Sequence, residues 1–410
     1  MVGGCRGEEQ GNIDVKVRIK ALLLLAVGVA GIGLWRAWRG GNGIHASSVS
    51  HLPSWSAVRA ASYLDQREVS WQHWPPAQQD HGTICISCHT VVPYALARPV
   101  LRRGLGETGM TAGEQTMLRS LDTRVTHWSE VSPFYSDAKA GPGKSAESRA
   151  TEAVLNAVIL ASYDADRGQL RSVTRTAFEE AWALQLKSGE DAGGWQWQDF
   201  HLAPWESASS AYQGAAMLAI AVEEAPDHYA DEAQIATNLE LLEAYLKRQY
   251  PSEPLIGQLY VLWASAWMPR LLDASQRAQL EGRIDALGQA DGGWSLYSLD
   301  AKESWNHLQE LSASDGCATA LVVLALEQSG VSRQDAALRR GVAWLQHHQY
   351  EDGSWRAASL NKNRNPETQV GRFMSDAATG YASLALEMYQ STSARRPAPA
   401  EKLQAGWTGK

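Results

Sequence analysis

The chain has 410 residues, 44% of them apolar, and a formal net charge of −8. That allows one large or two modest globular domains, and the lack of a basic tract beyond a short N-terminal cluster excludes nucleic acid as a partner. Seventeen tryptophans against four phenylalanines imply an architecture that calls for Trp repeatedly, so an internal repeat is expected.

Residues 1–40 are expected to form an N-terminal tail and signal anchor. Lys16, Arg18 and Lys20 precede the apolar run from Ala21 to Trp35, the pattern of a signal peptide or anchor. At about fifteen residues the run is short of the roughly twenty a membrane span needs, and flanking Ile19 and Trp38 lengthen it. Arg36 and Arg39 follow the run, and the one small-residue cleavage candidate, near Ala46, lies far from it. An uncleaved inner-membrane anchor is expected, with the bulk of the chain on the periplasmic face. Cleavage would release it to the periplasm.

Residues 41–144 read as a linker and a helical region, packed on the later domain or completing it. Helices are expected at 56–66, 92–103 and 112–129, the last opening on the capping box Thr111-x-x-Glu114. Between the first two lies Cys85-Ile86-Ser87-Cys88-His89, which reads C-x-x-C-H, the attachment pattern of a c-type haem. Two thiols three apart can reach the two vinyl groups of one porphyrin, and the adjacent imidazole can ligate the iron axially. Cys85 and Cys88 are thus candidate covalent haem residues and His89 the candidate axial ligand. The alternative is a Cys85–Cys88 disulfide beside an incidental histidine. A zinc half-site is disfavoured, because Cys5 and Cys317 form no second C-x-x-C. Met117, Met110 and His127 are candidates for a sixth iron ligand, with His73 and His81 upstream. An open sixth position would favour ligand or peroxide chemistry over simple electron transfer.

Residues 145–392 carry the repeat. Gly193-Gly194-Trp195, Asp291-Gly292-Gly293-Trp294 and Asp352-Gly353-Ser354-Trp355 each close a helical stretch. Asp-Gly supplies a turn that tolerates left-handed dihedrals after a helix. Thr151–Ala161, Ala208–Val222, Leu255–Trp267, Ser314–Leu326 and Ser375–Met388 are apolar nearly all round, as buried helices are. Thr174–Lys187, Gln234–Gln249, Ser275–Gln289 and Arg333–His348 alternate with them and are amphipathic, as an outer layer would be. With the three helices upstream, the expected fold is all-α, six inner and six outer helices in a closed barrel. The tail 393–410, with Arg395-Arg396-Pro397, is expected to be disordered.

The set Arg340-Gly341, Trp344-Leu345, Gln349 and Gly353-Ser354-Trp355 resembles the QW repeat of squalene–hopene cyclases. Ser375-Asp376-Ala377-Ala378-Thr379-Gly380-Tyr381-Ala382 resembles an inner-helix opening of the same superfamily. The resemblance covers roughly 145–392 and implies an α/α toroid with a large apolar cavity suited to an isoprenoid-like molecule; it does not by itself imply cyclisation. The family's D-x-D-D proton donor is missing from this sequence. Single acids stand at inner-helix starts instead (Glu152, Glu206, Asp315 and Asp376), where N-capping is their ordinary role. Asp376 and Asp315 are the candidate catalytic acids. Asp315-Gly316-Cys317 also resembles two of the three zinc ligands of protein prenyltransferases, but Ala378 stands where the third would be, so zinc is not expected. The expectation is an anchored haem protein that binds or modifies an apolar isoprenoid-like molecule and exchanges electrons with a redox partner. The alternatives are a non-catalytic binding module and a cyclase using a lone acid such as Asp376.

Overall fold

A computed structural model describes residues 54–300 and 312–391. The expected anchor and the expected disordered tail lie outside them, and no helix among the described residues is long and apolar enough to cross a membrane.

Twelve helices longer than two turns build the described part: α1 (Ala57–Gln72), α2 (Val91–Leu105), α3 (Ala112–Thr126), α4 (Lys144–Arg167), α5 (Ser172–Ala183), α6 (Ser210–Glu224), α7 (Ala236–Gln249), α8 (Leu255–Ala264), α9 (Ala274–Leu287), α10 (Gly316–Gln328), α11 (Ala336–His347) and α12 (Phe373–Gln390). Among the described residues β-pairing is limited to two isolated bridges. The even-numbered helices form an inner ring, each packed on the next, and α12 returns to α2 to close it. Their sequences explain the placement. Every residue of α8 is buried, and so is α10 from Gly316 to Leu326: α10 is small or aliphatic almost all round, and α8 adds Tyr260, Trp263 and a hydrogen-bonded Gln258. The odd-numbered helices lie outside; α9 buries only Leu280 and Ile284. The all-α toroid expected from the sequence is therefore present, and α1–α3 are part of its ring.

The glycine–tryptophan turns join neighbouring repeats. Trp195, Trp294 and Trp355 are buried, and each indole N–H donates to a carbonyl of its own outer helix: Ala181 O at 2.7 Å, Ile284 O at 2.8 Å and Leu345 O at 2.9 Å. The backbone amides of Trp294 and Trp355 donate to Thr319 and Thr379 on the following inner helix, both at 3.0 Å. In the last turn Gln349 reaches Ser56, which caps α1. Its Oε1 accepts from Ser56 N at 2.6 Å and its Nε2 donates to Ser56 O at 3.1 Å. Gly353, at φ +89°, lies so close to Arg59 that an added Cβ would stand 2.2 Å from that residue's carbonyl oxygen. The final repeat is thereby fastened to α1, 293 positions earlier.

Candidate functional site

The Cys-x-x-Cys-His segment enters the ring directly before α2. Cys85 N donates to Ala77 O at 2.8 Å, and Trp71 Nε1 donates to Cys85 O at 2.8 Å. Ser87 Oγ accepts from the amides of Thr90 and Val91, at 3.2 and 3.1 Å, and so starts α2. Cys88 and His89 fall in the turn between these anchors, facing the interior. Cys85 is disulfide-bonded, whereas Cys88 is a free thiol, so the two are not joined to each other. This removes the local disulfide considered from the sequence. Burial, with the Glu206 carboxylate as a second cause, pushes the Cys88 thiol well above its ordinary value.

His89 is buried and tightly framed. Its ring stacks on Phe373 with centroids 3.8 Å apart and meets the edge of Trp71 at 5.3 Å. Nδ1 lies 2.9 Å from Thr90 Oγ1, and Nε2 has no hydrogen-bond partner among the described residues. Desolvation holds the imidazole well below its ordinary pKa, and the nearby Arg67 cation adds to that. A neutral ring is the form that ligates a metal. His89 Nε2 and the Cys88 thiol are the donor types that would hold a haem, although the space lined by Cys88 is only about 20 Å³. The Cys85 sulfur would have to leave its disulfide first.

The expected acids have individual partners. Asp376 opens α12 and takes Arg67 Nε at 2.7 Å, Arg67 Nη2 at 3.0 Å, Tyr63 Oη at 2.9 Å and Thr90 Oγ1 at 2.9 Å. Burial pushes its carboxyl above the ordinary carboxylate range while the guanidinium, on both oxygens, pulls it back down. Glu152 is paired in both oxygens with fully buried Arg124. Asp315 caps α10 through Cys317 N and Ala318 N, takes Leu296 N on its other oxygen, and is raised to about 6 by burial. Glu206, raised by burial to about 7, faces Cys88 and Tyr135, and its Oε2 has no partner among the described residues. Of the sequence candidates for a sixth ligand, Met117 is buried in outer helix α3, and His127 stacks on His81 and pairs with Glu130.

Two cavities bear on function. On the ring axis, Cys88, Trp197, Trp205, Gln213, Tyr260 and Tyr381 close around a space of about 20 Å³, room for about one water. Tyr260 and Tyr381 bridge it through their hydroxyls at 3.1 Å. This space is far smaller than the large apolar cavity that the resemblance implies. Tyr212, on inner helix α6, sends its hydroxyl outward to Leu246 O at 2.6 Å. At one mouth of the ring a second cavity of about 530 Å³ has Leu296, Tyr297, Val370, Phe373 and Met374 on its wall, with Asp315 inside and basic Arg356 and Lys362 on its lining. Phe373 separates this cavity from His89. Sequence reasoning missed Phe373, Thr90 and Arg67; Thr90 follows the motif directly, but the other two meet it only through folding.

Residues 268–389 match the family model of the squalene-hopene cyclase C-terminal domain. The matched stretch contains α9–α12 and the turns at Trp294 and Trp355, and it supports a cyclase-like toroid. No curated protein matches the chain at a significant level.

Proposed function

We propose that this protein carries a c-type haem on Cys85, Cys88 and His89 and uses it to exchange electrons with an apolar isoprenoid-like molecule held at the mouth of the toroid. The observation that carries the haem half is the buried His89 Nε2, which has no partner among the described residues although burying a bare polar atom costs about 1–3 kcal/mol. In attachment, each thiol S–H would add across a vinyl C=C, sulfur to the inner carbon and hydrogen to the outer, with no net redox change. Cys85 must first be freed by a dithiol reductant, itself oxidised to a disulfide. The bound iron would supply one-electron chemistry between its ferric and ferrous states. The mouth cavity, about 530 Å³, falls in the usual range for small-molecule sites, about 300–1,000 Å³. A ligand there would sit one aromatic ring, Phe373, away from His89.

The proposal includes export, anchoring through the 21–35 run on the periplasmic face, and a redox partner. Membrane fractions from cells with c-type maturation should give a haem-stained band on denaturing gels, abolished by Cys85→Ser with Cys88→Ser. A purified membrane-bound protein with the Cys85 disulfide intact and no porphyrin would end the haem reading. That same disulfide favours a second reading, a haem-free module that binds the apolar molecule alone. Cyclisation by Asp376 is disfavoured, since a general acid must hold a proton and this carboxylate is ion-paired to Arg67.

A further inference from the structure

We infer that the molecule taken by the mouth cavity is an amphipathic anion, an apolar chain ending in a carboxylate or phosphate, whose head meets Lys362, Arg356 and the Ser375 hydroxyl. The inference rests on the placement of an apolar molecule at the mouth proposed above, and not on haem.

The lining of this cavity of about 530 Å³ is of two kinds. Leu296, Phe373 and Met374 are buried side chains, and with half-buried Val370 they give an apolar wall. The polar part has an excess of positive charge, with Arg356, Lys362 and Arg364 against Asp315 and Glu367. Both acids are answered within the fold. Asp315 accepts the amides of Cys317, Ala318 and Leu296, and Glu367 Oε2 accepts Arg372 Nη2 at 3.2 Å. The cations are less occupied. Arg356 gives Nη2 to Asp352 at 2.8 Å, and its other guanidinium N–H groups have no partner among the described residues. Its pair with Asp352 is partly exposed and therefore weak. The Lys362 ammonium has neither an ion pair nor a hydrogen bond among the described residues.

Ser375 points to a ligand independently of these charges. It stands in the first turn of α12 and is only 5% exposed, yet its hydroxyl lies on the cavity lining without a partner among the described residues. A buried hydroxyl left bare is costly, and an acceptor arriving from the cavity removes that cost. The start of a long helix also favours negative charge. A neutral hydrocarbon would cover the apolar wall and leave the guanidinium, the ammonium and the hydroxyl unanswered. A carboxylate or phosphate head offers them acceptors while its chain lies on the wall, and Arg in particular suits the two oxygens of such a head.

The test uses the full-length chain in phosphatidylcholine nanodiscs, with empty discs as the blank, and titrates decanoate, decyl phosphate and decanol by calorimetry. At least one of the two anions should bind about tenfold or more tightly than decanol, the margin of a hydrogen-bonded charge, and should lose that margin in high salt. Lys362→Gln, an exposed change that cannot unfold the chain, should remove most of the margin. Ser375→Ala should weaken the anion several-fold and leave decanol unchanged. Val370→Asn, on the apolar wall, should weaken anion and alcohol alike. Decanol binding as tightly as both anions, with Lys362→Gln silent, overturns the charged head while the apolar molecule at the mouth stands. An anion preference untouched by Lys362→Gln and Ser375→Ala overturns the assigned residues. If none of the three compounds binds, the reading of the mouth as a ligand site falls, and this inference with it.

Discussion

Arg67 and Asp376 meet inside the ring from positions 309 residues apart, and neither is appreciably exposed. Breaking such a pair strands an uncompensated charge, at a cost of about 3–5 kcal/mol. Arg67→Met should lower unfolding free energy by that amount in urea titrations, and Arg67→Met with Asp376→Leu should recover most of it; a single variant as stable as wild type contradicts the pair's role. Next to it, Glu68 is raised by burial to about 8. This is above its unfolded value near 4.5, so the folded state holds the proton more tightly. Its contribution is full below pH 4.5 and is lost as pH rises through 8. Glu68→Gln should therefore gain stability over wild type, on the order of a few kcal/mol, between pH 4 and pH 9. Melts of the two proteins that stay parallel across this range would show Glu68 to be ionised already. These charges were hidden in the sequence, where the expected helix ended at residue 66, before Arg67 and Glu68. In the fold Arg67 and Glu68 are buried and Asp65 is half-buried, because their partners come from α2, from Gln72 and from α12.

The alternation of apolar and amphipathic segments was legible at the level of elements, since it depends on side-chain period alone. Helix ends were less so: α4 runs from Lys144 to Arg167, far past the expected 151–161, because polar residues at its ends are paired rather than solvated. The turns allow a controlled test. Gly189 and Gly353 both have left-handed φ, +86° and +89°, but an added Cβ meets open space at Gly189 and the Arg59 carbonyl at Gly353. Gly189→Ala should cost about 1 kcal/mol for dihedral strain alone, and Gly353→Ala clearly more, because the seam with α1 must open. Equal losses would mean that the seam bears no load. Trp355→Ala, which empties a fully buried site and leaves Leu345 O only the long bond from the His348 amide, should cost about 3–5 kcal/mol.

At the scale of the whole molecule, ring closure decides stability. The family match begins at residue 268, and the repeat is legible from about 145, yet the ring is completed by α2, which fills the gap between α12 and α4. Without α1–α3, the buried faces of α12 and α4 would meet water, and Gln349, Gly353 and Asp376 would lose Ser56, Arg59 and Arg67. An open arc also lacks the cap that end repeats of stacked helical arrays need. A chain lacking residues 54–143 should therefore fail to unfold in one sharp thermal transition and should bind a hydrophobic dye, whereas the full chain should melt cooperatively. A fragment of residues 144–391 that melts as sharply as the full chain would show the repeat domain to be self-sufficient. The Cys-x-x-Cys-His segment would then be an attachment to the toroid. Failure of the fragment would instead tie the motif to the fold itself, since the helix that it opens, α2, is the one that closes the ring.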